Sequence, residues 1–109
     1  MLNKISYKLV FNRARRLNQR GEGLIQIECS QQKRRIYFST HTYVKPENFS
    51  HGAIVETPNA DSLNYVLYQM MQEIELVELE YIKRGVDVHL PMLREAVRSH
   101  ISPAAKLTD

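Results

Sequence analysis

The sequence predicts an α+β domain: a three-stranded antiparallel sheet packed on one long helix and followed by a short helix. Three observations carry this. Apolar and polar residues alternate in three successive segments within residues 4–40, the two-residue period of strands with one buried face. Apolar residues then recur at three- and four-residue spacing over residues 60–84, the period of an amphipathic helix. Pro91 stands where the first turn of another helix accepts a proline, with Leu93, Ala96, Val97 and Ile101 falling on one side of it.

The elements follow in order. Residues 4–12 put Ile5, Tyr7, Leu9 and Phe11 on one face and Lys4, Ser6, Lys8 and Val10 on the other. Residues 13–21 form a strongly basic, glycine-terminated connection that is long for a hairpin loop and is expected to project and move. In residues 22–30, Ile25, Ile27 and Cys29 point inward, with Leu24, Gln26 and Glu28 outward. Gln31 and Gln32 begin a polar turn into the central segment Lys33-Arg34-Arg35-Ile36-Tyr37-Phe38-Ser39-Thr40. There Ile36, Phe38 and Thr40 share the inner side, and Arg35, Tyr37 and Ser39 the outer one. Pro46 argues against a central strand in the extended stretch that follows, and residues 52–56 suit one short extra edge strand.

Thr57 or Asn59 supplies the N-cap of the long helix, and Gly85 stops it. Its broad stripe of Leu63, Val66, Leu67, Met70, Ile74, Val77 and Tyr81 should cover the inner face of the sheet. A narrower opposite stripe, Tyr65, Tyr68, Leu76 and Leu79, is left for the short helix to cover. Residues after 101 read as a linker or frayed tail.

A chain of 109 residues supports one compact domain with a real core. No apolar run is long enough to span a membrane, and the amino terminus lacks the apolar core of a secretory signal, so a cytoplasmic location is expected. The single Cys29, within an apolar strand, reads as a small buried hydrophobe in a reducing compartment. Charge is unevenly spread. Residues 1–50 hold ten Lys/Arg against three acids, and residues 51–109 hold five against nine. A basic half carried on an acidic half points to an anionic partner.

Enzymatic readings find little support. His41, His51, His89 and His100 are scattered, without a metal-ligand spacing to a second His or to Cys. Glu73, Glu75, Glu78 and Glu80 read as a charged helix surface rather than a catalytic set, and no phosphate loop, dinucleotide fingerprint or nucleophile elbow is present. No cofactor and no metal are expected. Each Lys or Arg taken alone is ordinary surface charge. Their gathering on one hairpin and its neighbouring strand, beside Gln26, Tyr37 and Ser39, suits duplex DNA, with cations for phosphates and polar side chains for base edges. Single-stranded RNA would call for several exposed aromatics, and Tyr37 alone clearly qualifies.

The succession Lys4-Ile5-Ser6-Tyr7-Lys8-Leu9-Val10-Phe11-Asn12, Gly23-Leu24-Ile25-Gln26-Ile27, Tyr37-Phe38-Ser39-Thr40, Tyr43-Val44-Lys45-Pro46-Glu47 and Pro58-Asn59-Ala60-Asp61 resembles the amino-terminal arm-type DNA-binding domain of tyrosine recombinases, the phage and conjugative-transposon integrases, especially those of the Bacteroides group. The resemblance implies an arm-type DNA-binding domain over residues 1–90, whose sheet docks in the major groove of arm sites. It implies that residues 91–109 lead toward a core-binding domain, with the catalytic domain beyond it. The chain is too short to contain either, so no strand cleavage is expected of it. The DNA-binding residues expected are Lys4, Lys8, Arg13, Arg15, Arg16, Arg20, Gln26, Lys33, Arg34, Arg35, Tyr37 and Ser39. Double-stranded DNA is the expected partner, together with other integrase protomers; no membrane and no small-molecule substrate are expected. The competing reading is a protein-interaction module acting through the second apolar stripe of the long helix.

Overall fold

A computed structural model describes residues 3–100. Strands β1 (Ser6–Phe11), β2 (Gly23–Gln31) and β3 (Arg34–Val44) form an antiparallel sheet in the order β1-β2-β3, and α1 (Ala60–Lys83) and α2 (Leu90–His100) follow. The predicted α+β architecture is the one observed. Ile101 and the expected tail lie outside the described residues.

Register keeps the two faces separate. Leu9 pairs with Ile27 and Ile27 with Phe38 on the inner side, while Lys8 pairs with Glu28 and Glu28 with Tyr37 on the outer side. The β2–β3 hairpin turns through Gln32 and Lys33 at φ of 49° and 70°, the two positive values of a tight turn matched to sheet twist. Glycine and asparagine are the usual occupants, so Gln-Lys gives little sign of this turn. Gly23 is needed for space, since a Cβ there would stand 2.8 Å from the Phe11 ring.

Strand β3 runs four residues past Thr40, further than alternation suggests, because an irregularity interrupts the pattern. Ser39 pairs with Gln26, but Thr42, not Thr40, pairs with Ile25. His41 adopts φ of 58° within the bulge. Side chains replace the missing ladder bonds: the buried Thr40 hydroxyl donates to the Ile25 carbonyl at 2.7 Å and accepts from the Thr42 N–H at 3.1 Å. Ser39 Oγ likewise accepts from the His41 N–H.

A single 3-10 turn, Pro46–Asn48, closes β3 and leads into a small hairpin of β4 (Phe49–Ser50) and β5 (Ala53–Ile54). The extra strand expected near residues 52–56 therefore pairs with its own neighbour, not with the edge of the main sheet. Phe49 stacks on Phe11 with ring centroids 5.5 Å apart, and Asn64 of α1 exchanges two hydrogen bonds with Ile54 (2.8 and 2.9 Å).

Asn59 occupies the N-cap of α1, but neither its side chain nor that of Thr57 makes a capping bond; the Leu63 N–H reaches the Asn59 carbonyl instead. At the other end, Gly85 at φ of 78° lets its own N–H reach the Ile82 carbonyl and the Val86 N–H reach the Tyr81 carbonyl. This doubly bonded glycine stop is the expected one. Leu67 and Ile74 are buried against the sheet, but Val66 is 52% exposed, because it lies about 100° around the axis from Leu67.

Two expectations about the helices are corrected. Helix α2 does not cover the second stripe: Leu90, Leu93 and Val97 join Ile5, Cys29, Ile36 and Ile74 in one core on the inner side of the sheet. Tyr65 (65% exposed), Tyr68, Leu76 (57%) and Leu79 remain open. A second, smaller core of Ile25, Val44, Ile54 and Leu67 fills the other end. The other correction is Glu78, which is 1% exposed rather than part of a charged surface. It follows Ile74 by four positions on the sheet-facing side of α1, and its carboxylate accepts from the Ile5 N–H (2.8 Å), the Tyr7 hydroxyl (2.9 Å) and Lys4 Nζ (3.3 Å). Gln31 makes a comparable tie, donating to the carbonyls of Asn3 and Val88 at 2.8 Å each.

Candidate nucleic-acid interface

The outer face of the sheet is a grid of cross-strand rows. Ser6, Ser30 and Arg35 make one row; Lys8, Glu28 and Tyr37 the next; Val10, Gln26 and Ser39 the third. Neither helix covers this side, since both pack on the inner one. Gln26 and Ser39 therefore stand directly opposite each other, as alternation requires, and Arg35 and Tyr37 project from the same side of β3.

Glu28 is the part of this face that residue type alone does not reveal. It is only 9% exposed, at the centre of the middle strand. Oε2 lies 3.6 Å from Lys8 Nζ and 3.7 Å from Arg35 Nε, and Oε1 accepts a 3.3 Å hydrogen bond from the Tyr37 hydroxyl. Register supplies the signal: a carboxylate on β2 flanked by Lys8 across one ladder and Arg35 diagonally across the other meets both.

Arg13 folds back from the basic loop, and its guanidinium carbon lies 3.5 Å from the centre of the Tyr37 ring. Cation–π contact of this kind favours arginine for its flat, weakly hydrated head. The loop is thus less free than its composition suggests. The Asn18 side chain accepts from the Arg20 and Glu22 N–H groups at 2.9 Å each, and the Asn18 N–H donates to the Glu22 carbonyl at 2.8 Å. Arg15, Arg16 and Arg20 stay exposed on this braced loop. Between the loop and the sheet runs a groove lined by Arg13, Arg16, Leu17, Leu24, Gln26 and Tyr43. Tyr43, 47% exposed opposite Leu24, is a second aromatic on this side that the strand pattern up to Thr40 does not single out.

Three expected cations stand elsewhere. Lys4 Nζ is held by Glu75 at 2.6 Å and Glu78 at 3.3 Å, which draws it to the helix side. Arg34 pairs with the inward Gln31, so alternation turns it away from the outer face; Lys33 occupies the hairpin turn. The grid thus brings together Lys8, Arg13, Gln26, Arg35, Tyr37 and Ser39, with Arg15, Arg16 and Arg20 alongside.

Among the described residues, no group of three or more His, Cys, Asp or Glu converges to hold a metal ion. Cys29 is fully buried, and burial, with Glu78 and Glu28 adding to it, pushes its thiol up to about 12. It therefore stays protonated and serves as core packing. No described helix is long and apolar enough to cross a membrane.

Residues 10–94 match the family model of the arm DNA-binding domain. The chain belongs to that family. Arm DNA-binding domains are typical of the amino termini of tyrosine recombinases and integrases, where they bring DNA binding to recombination and integration, and taken alone they are non-catalytic. No curated protein and no solved structure matches the chain significantly. In this arm domain the matched span takes in the whole sheet from Val10 onward, α1, and the beginning of α2.

Proposed function

We propose that this arm domain binds sequence-specific duplex sites by laying the outer face of β1-β2-β3 in the major groove. The observation that carries the reading is the convergence on one uncovered face of strand residues and a back-folded basic loop, joined where Arg13 meets Tyr37. Dimensions agree: three strands spaced about 4.8 Å apart make a ribbon about 10 Å across, against a groove about 12 Å wide. Arg35 and Gln26 address base edges, Ser39 assists, and Lys8, Arg13, Arg15, Arg16, Arg20 and Lys33 meet phosphates. In this reading the domain tethers a recombinase of the Bacteroides conjugative-transposon group to its arm sites, away from the point of strand exchange. The DNA-binding unit extends through α2, whose Leu90, Leu93 and Val97 share the core, and the following residues lead toward a core-binding domain.

Selection from a random duplex pool, followed by titration of the selected site, tests this. Arg35→Ala is expected to cost about 1–3 kcal/mol on the selected duplex with the fold intact. Changing Arg13, Arg15, Arg16 and Arg20 to Gln should weaken all duplexes alike and flatten the log-affinity against log-salt line by roughly 0.9 for each phosphate no longer neutralised. Unchanged affinity for Arg35→Ala would count against this docking.

The open stripe of Tyr65, Tyr68, Leu76 and Leu79 favours a second role, contact with other protomers of the recombinase. Sedimentation at increasing concentration without DNA checks it; a monomer throughout would argue against self-association.

A further inference from the structure

We propose that Glu28 is a positioning residue for DNA recognition: its carboxylate sets Arg35 and Lys8 in place, so that the face discriminates between DNA sequences. The inference rests on the outer face being the DNA-binding surface. A carboxylate at the centre of a surface meant for phosphates weakens binding by simple electrostatics, so its presence there needs another explanation. Glu28 is withdrawn from solvent and grips its partners from behind. It meets Arg35 through Nε, at 3.7 Å, the inner nitrogen of that guanidinium, beyond which its two terminal nitrogens extend. Those terminal nitrogens belong to the donor fork that can address O6 and N7 of a guanine.

The same carboxylate orders the rest of the row. Its second oxygen takes the Tyr37 hydroxyl at 3.3 Å, and Tyr37 carries the Arg13 guanidinium on its ring. Lys8, 3.6 Å away on the other flanking strand, completes a chain that crosses all three strands and reaches the basic loop. Long cationic side chains lose rotamer freedom when they bind, and a fixed anion beneath them removes part of that loss beforehand. The ion-pair distances exceed hydrogen-bond length, which leaves both cations room to adjust onto DNA.

The test compares the full chain with Glu28→Gln on a pool-selected duplex and on a scrambled duplex of equal length, at one salt concentration. Gln keeps the shape and removes the charge. A charge effect alone would tighten binding to both duplexes equally. Positioning instead predicts that the selected duplex binds at least about tenfold more weakly relative to the scrambled one. It also predicts that adding Arg35→Ala to Glu28→Gln lowers that ratio by far less than Arg35→Ala does alone. Tyr37→Phe, which frees one carboxylate oxygen, should lower the ratio by a smaller factor, and it serves as the second variant if Glu28→Gln melts out. An unchanged ratio in a folded variant overturns the proposal and leaves the DNA-binding reading standing. Failure of the unmodified chain to select any duplex overturns that reading and the proposal with it.

Discussion

Glu78 and Glu28 are both acidic side chains withdrawn from water, on opposite sides of one sheet, and their surroundings differ in kind. Glu78 is met by a backbone N–H and a phenol at 2.8 and 2.9 Å, donors held by β1 and its approach, with Lys4 added at 3.3 Å. Glu28 is met by two long, mostly exposed cations at 3.6 and 3.7 Å and by one phenol at 3.3 Å. The backbone donor of the first set cannot leave without unfolding the edge of the sheet. The second set is tethered at the carboxylate by longer contacts, with its exposed ends left room to adjust. Burial of a carboxylate therefore does not by itself fix how firmly its donors are held; their own stiffness and exposure do.

The largest test of this contrast is truncation. Glu78→Ala leaves the Ile5 N–H and the Tyr7 hydroxyl without their acceptor and should cost about 3–5 kcal/mol in chemical denaturation. Glu28→Ala should cost about 1 kcal/mol or less, since its ion-pair partners are solvated. Equal losses would erase the distinction.

Neighbours on one strand sharpen it. Ile27 is fully buried on the inner face, and Gln26, next to it, faces outward. Ile27→Ala should cost about 2–5 kcal/mol through reduced burial and a cavity. Gln26→Ala should change stability by less than about 1 kcal/mol and show its effect in DNA selectivity. A denaturation midpoint lowered more by Gln26→Ala would mean that the outer face carries structural load.

The two tyrosines that donate to these carboxylates give the smallest contrast between paired substitutions and a pH signature. Burial first, and then the bond to Glu78, pushes the Tyr7 phenol far above its ordinary 10.0. Burial opposes the charge on Lys4, yet the bonds and charges of Glu75 and Glu78 together hold its ammonium above the ordinary 10.5. Both folded-state values are raised, so the folded state keeps protons that the unfolded chain releases. Their contribution is complete below about pH 10 and is lost as pH rises beyond it. Tyr7→Phe should cost about 1.5–3 kcal/mol at neutral pH and make stability fall less steeply above pH 10. Tyr37→Phe should leave the neutral-pH midpoint nearly unchanged. An alkaline slope identical in Tyr7→Phe would show that Tyr7 does not carry it.

Where one rule governs a residue, the sequence is enough to place it. Strict alternation locates Ile25, Ile27, Cys29, Ile36 and Phe38 on the inner side, and helical spacing with Gly85 delimits α1 to within a residue. Where two rules compete, the sequence misleads. Glu78 has the spacing of the buried stripe and the chemistry of the surface, and its position outweighs its chemistry. Lys4 has the position of the outer face, but a partner 74 residues away in sequence draws it off. The open stripe of α1 has α2 as its nearest cover in sequence, whereas α2 finds a larger apolar surface beside α1 on the sheet. Glu28 and the Arg13–Tyr37 contact depend on which residues stand opposite one another, and that follows only once register is known.

The irregularity at Thr40 and His41 bears on how this surface can change. It adds two residues between pairs, an even number, so everything after it keeps its original facing: Val44 still enters the core and Tyr43 still points out beside the basic loop. A single insertion or deletion there would exchange the two, driving a phenol inward and an isopropyl group into water. The end of β3 can thus be lengthened or shortened in steps of two, which changes how far Tyr43 reaches past the grid while the hydrophobic interior stays as it is. The reach of β3 and the identity of its core are independently adjustable at this one place.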